Sequence, residues 1–307
     1  MIKTSISEFE NYGRVMEITD GVCKVKVTLD VGPRVIYCGL TGKKNVFFCD
    51  LQRRTCNKKP EMEKYYGKDR FWYIYGGYRL WMSPEASPQT YYPDNEKVEY
   101  VIKGDTVTFI PPLQSENLLQ TLFSLTFDGG GKITVNNRMI NFSNKKKEGA
   151  AWGLCAMAKN THTFGVQSGT DTGLLPNRTL VLWPYTRIDD ERLTVTDTLI
   201  DVKQSPDADC ALKIGFNNEK GVTATVTEDG TLFVQRFKTD HKKGRYPDGG
   251  CSCEIYSCAD FTESEALSPL QTILPGHSLD FSIEWELFAT DDKGRDEKTL
   301  LNIINNV

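Results

Sequence analysis

Two glutamates set two residues apart, Glu263 and Glu265, are the first residues in this chain placed for chemistry. In an extended strand residues i and i+2 share a face, so both carboxylates point to one sheet surface. Like charges held side by side repel unless a cation or a ligand stands near. A second loaded segment lies far upstream, Gly76-Gly77-Tyr78-Arg79-Leu80-Trp81-Met82-Ser83-Pro84-Glu85. Its arginine either pairs with Glu85 or serves a site, and the glycine pair before it permits close approach of backbone or ligand. Lys213 sits in an otherwise apolar strand, Ala211 to Phe216, where an inward-facing amine needs a carboxylate. Asp248, in Tyr246-Pro247-Asp248-Gly249-Gly250, is the expected partner, unless it only makes the turn that Pro-Asp-Gly favours. Trp81, Trp183 and Tyr185 are either core rings or platforms for a ligand. Carboxylates, an arginine and aromatic rings displayed on strands suit a surface that handles sugars.

The elements that must carry these residues are strands. Arg14–Thr19 and a run from Val22 flank Asp20-Gly21, a strong hairpin signal. Apolar–polar alternation recurs at Thr106–Ile110, Phe123–Phe127, Val222–Val226, Leu232–Phe237, Cys253–Tyr256 and Leu279–Leu287, punctuated by Gly, Asn and Asp clusters. Only the tail reads as helical: Asp291-Asp292 can cap a segment over 293–304 whose Leu300, Leu301, Ile303 and Ile304 recur at helical spacing. No linker, fixed-period repeat or low-complexity tract interrupts the chain. The expectation is an all-β protein, one large two-sheet antiparallel sandwich over residues 1–307 with a short C-terminal helix.

Composition narrows the partners. With 307 residues and a formal net charge of -4, the chain is a poor candidate for nucleic acid or an anionic membrane. No stretch nears the ~20 apolar residues that span a bilayer, and the first residues lack an apolar signal core, so a cytoplasmic location is expected. Nine scattered cysteines suit reduced thiols used as small core residues. Three histidines, none spaced for a metal, leave no cofactor or metal expected.

Taken together, Gly32-Pro33-Arg34 with Asn45-Val46-Phe47, the Gly76–Glu85 segment, Leu182-Trp183-Pro184-Tyr185 with Lys213–Asn218, and Tyr246–Gly250 through Glu263–Leu270 to Leu274-Pro275-Gly276 and Glu284-Trp285 form a pattern. It resembles the galactose mutarotase-like superfamily of β-supersandwiches, and within it the DUF4380 branch, over about residues 10–290. The resemblance implies a small-molecule carbohydrate on the concave face of a sheet, with a late-strand glutamate as base. Glu265, or its same-face neighbour Glu263, matches that glutamate by position. The implied reaction is aldose 1-epimerase-like. The base takes the anomeric hydroxyl proton while an acid protonates the ring oxygen, and the opened sugar recloses to either anomer. A carboxylate desolvated by aromatics has its pKa raised toward the working range. Where these mutarotases use histidines, Tyr78 occupies the slot here, so the acid falls to Tyr78, Tyr246, Lys213 or a protonated Asp248. His162 is the best placed of the three histidines. The expected catalytic set is Glu265, Asp248 and Tyr78; the expected sugar contacts are Arg79, Trp81, Glu85, Trp183, Tyr185, Lys213, Asn217, Tyr246 and Glu263. The alternatives are a carbohydrate-binding protein of the same fold without turnover, and a glycoside-cleaving enzyme using Asp248 and Glu265 as its carboxylate pair.

Overall fold

Strict alternation produces the clearest strand of the molecule. In Ser278–Ala289 every second residue from Leu279 to Leu287 is buried, and the intervening ones face outward. One face of such a strand must be covered by another layer. The computed structural model describes residues 1–290 together with 301 and 302. Among these, Ser278–Ala289 lies in a ten-stranded sheet between Lys132–Asn141 and Thr231–Phe237, antiparallel to both. An eleven-stranded sheet packs on it, and a two-stranded ribbon, Cys56–Asn57 with Trp72–Tyr73, lies apart. The all-β sandwich expected from the sequence is therefore the architecture observed. The helix expected over 293–304 lies outside the described residues, save for 301 and 302.

The Asp20-Gly21 hairpin forms as its sequence requires. Asp20 Oδ1 accepts the backbone N–H of Val22 and of Cys23, both at 2.9 Å, and Gly21 takes the positive φ of +96°. All nine cysteines are unpaired thiols, five of them buried. No helix among the described residues is long and apolar enough to cross a membrane.

Five strands of the eleven-stranded sheet concern the site: β1 (Gly77–Ser83), β2 (Lys147–Met157), β3 (Leu212–Phe216), β4 (Cys253–Ser257) and β5 (Thr262–Leu267). They lie side by side in the order β1-β2-β5-β4-β3. Unlike Ser278–Ala289, β5 is buried at all of its residues, so both of its faces are covered. Ser264 identifies the inner face: its hydroxyl accepts from Gln235 Nε2 at 2.8 Å, on the opposing sheet. Glu263 and Glu265 must then face the other way. The α-helix α1 (Pro60–Tyr66) packs Met62 and Tyr66 with Trp72 and Phe261 over this outer face.

The glycine pair ahead of Arg79 serves the backbone. Gly76 and Gly77 hold φ of +112° and +62°, and a Cβ would lie 2.1 Å from Phe48 O and 2.0 Å from Val35 O respectively. Only glycine fits both the left-handed conformation and that contact. Gly77→Ala should therefore cost at least about 3 kcal/mol of folding stability through strain and collision. Urea denaturation of the purified variant checks this, and a wild-type midpoint would contradict it.

Candidate functional site

Cross-strand register assembles the site in rows. One row runs Gly77, Ala156, Glu263, Tyr256 and Lys213 across β1, β2, β5, β4 and β3. The next runs Arg79, Leu154, Glu265, Glu254 and Gly215, and a third sets Trp81 beside Trp152 and Leu267. Neighbours within a row and on the diagonal between rows are close enough for long side chains to meet. Hence Arg79 reaches Glu263 diagonally over Leu154, and Lys213 reaches back to Glu254 and Glu265.

These contacts are short and buried. Arg79 Nη1 lies 2.7 Å from Glu263 Oε1. Lys213 Nζ lies 2.7 Å from Glu254 Oε2 and 3.0 Å from Glu265 Oε2, and the latter oxygen also accepts Trp152 Nε1–H at 2.7 Å. Both cations rest on indole faces, Arg79 on Trp81 at 4.1 Å and Lys213 between Trp152 at 4.6 Å and Trp183 at 4.7 Å. Gly215 makes room for this sandwich: a Cβ there would meet Cys251 Sγ at 2.5 Å and the Trp183 ring at 3.3 Å.

Charge in such a place is governed by desolvation. Burial pushes Glu254 well above the ordinary carboxylate range, with Glu265 adding to the rise against the pull of Lys213. Burial likewise raises Glu265, opposed by Lys213 and the Trp152 N–H. For Lys213 burial acts downward, but Glu265 and Glu254 outweigh it, so the amine stays charged. Two carboxylates on one ammonium thus hold a proton more readily than free glutamates do.

Above this floor is a cavity of about 440 Å³. Trp72, Trp81, Trp152, Trp183, Tyr91 and Tyr185 form its walls, and Arg79, Lys213, Lys59, Glu263 and Glu85 supply its charge. Five buried polar atoms in and beneath the lining have no hydrogen-bond partner: Arg79 Nε, Trp72 Nε1, Glu265 Oε1 and both Glu254 oxygens, of which Glu254 Oε2 is ion-paired to Lys213. Buried donors and acceptors without partners are costly in a folded chain, so this polar cluster is held at the expense of stability. Glu85 accepts the Tyr91 hydroxyl, and burial followed by Glu85 raises the phenol's pKa.

Of the residues expected from the sequence, the cavity gathers Arg79, Trp81, Glu85, Trp183, Tyr185, Lys213 and Glu263. Glu265 lies directly beneath, fully buried and ion-paired, and does not line the cavity. Tyr78 is placed elsewhere by the same alternation that positions Arg79. It points into the core between the sheets, packs 5.0 Å from Trp285 and donates to Asn137 Oδ1 at 2.5 Å. Burial raises its pKa, and it cannot reach a sugar on the outer face. Asp248 is the turn residue of Pro-Asp-Gly, with φ +49°, and accepts from Ser83 Oγ at 3.1 Å. Lys213 has Glu254 and Glu265 as partners in its stead, and neither Asp248 nor Glu265 lines the cavity. Tyr246 stacks on His241 at 4.2 Å and accepts the Asp240 N–H, while Asn217 ties the Asn177–Thr179 backbone. Neither lines the cavity. His162 is on a strand of the other sheet, His241 meets Ser252 Oγ, and His277 is at an exposed turn.

Sequence reasoning missed Glu254, Trp152, Trp72 and Tyr91. Glu254 is the direct cross-strand neighbour of Glu265 in a hairpin closed by Cys258–Phe261. Counting back from that turn would have found it.

The described chain resembles several solved structures. It overlays a candidate aldose 1-epimerase from Klebsiella pneumoniae with a TM-score of 0.59 at 11% identity, covering 94% of this chain and 84% of that one. For a galactose mutarotase-like protein from Lactobacillus casei the values are 0.56 and 10%, covering 89% and 100%. This is the galactose mutarotase-like fold. A TPR-domain containing protein from Parabacteroides distasonis shares it, with a TM-score of 0.58, 14% identity and 93% of this chain covered. The chain spans about half, 48%, of that protein's length. At these identities the likeness is one of fold. No protein-family model and no curated protein matches the sequence, so the narrower resemblance to DUF4380 rests on its motifs alone.

Two outcomes follow from this geometry. Lys213→Met leaves two buried carboxylates without their cation and should cost about 3–5 kcal/mol at neutral pH. Because Glu254 and Glu265 are raised in the folded state above their ordinary value of 4.5, the folded form binds more protons than the unfolded form above that pH. Stability then falls as pH rises, more steeply without Lys213, so the loss should shrink near pH 5. Urea denaturation at both pH values reads this, and an equal loss at each would count against the ion triad. Tyr78→Phe should lower stability by about 1–3 kcal/mol through the orphaned Asn137 oxygen, and leave any ligand affinity unchanged. A change in affinity would return Tyr78 to the site.

Proposed function

We propose that this chain is a carbohydrate-binding protein whose cavity holds a saccharide on its indole faces. The observation that carries this reading is Arg79. Its guanidinium is buried in the cavity lining, lies over the Trp81 ring at 4.1 Å and is fixed by Glu263 at 2.7 Å. Sugar rings present C–H faces to aromatic rings and hydroxyls at their edges. A lining of indole rings set at angles to one another, with fixed donors and acceptors between them, matches both features. The ion pairs are held by their own partners, so each offers its remaining donor or acceptor without reorganising. The galactose mutarotase-like fold is consistent with this, as an analogy of fold.

Turnover as an aldose 1-epimerase is the second reading, favoured by Glu263, the carboxylate of the Glu263/Glu265 pair that lines the cavity. In that reaction Glu263 takes the anomeric hydroxyl proton, and the ring oxygen must be protonated from the other side. No histidine lines the cavity. Lys213, strengthened as a base by two carboxylates, and Tyr91, raised beside Glu85, are weak acids for that step. Binding is therefore the reading the geometry supports best.

Ligand-observed NMR on a panel of free aldoses, with wild type, Trp183→Ala and Glu263→Gln, separates the readings. Binding predicts saturation transfer to at least one sugar, with affinity falling roughly tenfold in Trp183→Ala as one aromatic platform is lost. Faster α/β exchange that vanishes in Glu263→Gln would establish the epimerase. No transfer to any sugar would contradict the proposal.

A further inference from the structure

We propose that the cavity selects uncharged saccharides and rejects anionic ones, uronic acids and sugar phosphates alike. The inference rests on the saccharide reading above and goes further by naming the class of sugar.

It follows from a count of charges around the cavity. Two cations form the floor, and neither is free. Arg79 is 2.7 Å from Glu263, while Lys213 is held by Glu254 at 2.7 Å and Glu265 at 3.0 Å. Lys59 is the remaining cation of the lining, and it is exposed at the mouth, where water and salt screen it. Against these three stand two carboxylates of the lining, Glu263 and Glu85, and two more directly beneath it on Lys213, Glu254 and Glu265. With all of them ionised the surroundings of the cavity are one charge negative, and with one proton on the buried pair they are neutral. In neither state is there surplus positive charge for an incoming anion.

Geometry sharpens the count. A sugar carboxylate or phosphate drawn to Arg79 would stand beside Glu263, whose side chain is buried like that of the arginine, so water screens the two anions little. Displacing Glu263 from Arg79 would strand one buried carboxylate to seat another. At the other end Glu265, Glu254 and the indoles of Trp152 and Trp183 enclose the Lys213 ammonium, leaving no open approach for a second anion. Hydroxyl groups face no such barrier. A hydroxyl can accept from a guanidinium N–H and donate to a carboxylate oxygen of Glu263 or Glu85, both in the lining, without adding charge. Pairing the cations within the protein therefore acts as a selectivity device against anions.

The test is isothermal calorimetry at low ionic strength with glucose, galactose and xylose against glucuronic acid and glucose 6-phosphate. Binding is expected for at least one neutral sugar, with the anionic sugars at least about tenfold weaker because a like charge would lie beside Glu263 and Glu85. Glu263→Gln frees the Arg79 guanidinium and should raise affinity for glucuronic acid by about tenfold or more. Glu85→Gln, at the exposed rim, should shift the preference the same way by a smaller factor and serves if the buried variant fails to fold. Wild type that binds glucuronic acid or glucose 6-phosphate as tightly as the neutral sugars overturns the selectivity while leaving the saccharide site standing. Charge-neutralised variants that fold and still reject anions overturn it as well. No binding by any sugar overturns the saccharide reading and this inference with it.

Discussion

A lysine clamped between two indole rings beneath a protein surface stays charged only if carboxylates are built in beside it. Lys213 meets that constraint through Glu254 and Glu265, and much of the sheet's outer face is arranged around the solution. Isolated burial of an ammonium is costly enough that the group would ordinarily give up its proton. Two carboxylates reverse that preference, and their mutual repulsion is relieved by the ammonium between them and by the Trp152 N–H. The triad does not touch the cavity through its carboxylates. It fixes the height and orientation of Trp152 and of the lysine stem, which do line it.

The second constraint is register. Arg79 and Glu263 are 184 residues apart and Lys213 and Glu265 are 52 apart, yet they meet because β1, β2, β5, β4 and β3 are paired without a slip. A one-residue shift of β5 would turn Ser264 and Ala266 outward and bury two glutamates against the opposing sheet. The inner face guards against this with its own polar lock, Ser264 bonded to Gln235 and Thr223. Residues without a side chain belong to the same design. Gly77 lets β1 approach the Val35 carbonyl, and Gly215 leaves room for Trp183 over the lysine.

Much of this was legible in the sequence, and the failures have physical causes. Period-two alternation placed Glu263 with Glu265 on a common face, and alternation along the other runs pointed to the sandwich. Applied strictly, the same rule puts Tyr78 on the face opposite Arg79, where it is found in the core. The run around Trp152 was not read as a strand because Ala150, Ala151, Cys155 and Ala156 are buried on both faces and show no alternation. The partner of Lys213 depended on which strand lies next to β3. Short-range signals on Asp248 describe a turn and carry no information about that pairing. The depth of Glu265 was hidden for a related reason: sequence gives its face, but Trp152 above it comes from another strand.

The central claim is that the aromatic cavity on the outer face receives a saccharide. The most direct measurement is a ¹⁵N-edited spectrum of the five tryptophan indole N–H groups, recorded while a neutral sugar is added to the intact protein. Four of these indoles, Trp72, Trp81, Trp152 and Trp183, line the cavity, and the fifth, Trp285, is buried between the sheets as an internal control. The account predicts saturable shifts of the cavity indoles, largest for Trp81 and Trp183, with Trp285 unmoved. Saturating sugar that leaves all five unchanged, or that moves Trp285 alone, would contradict it.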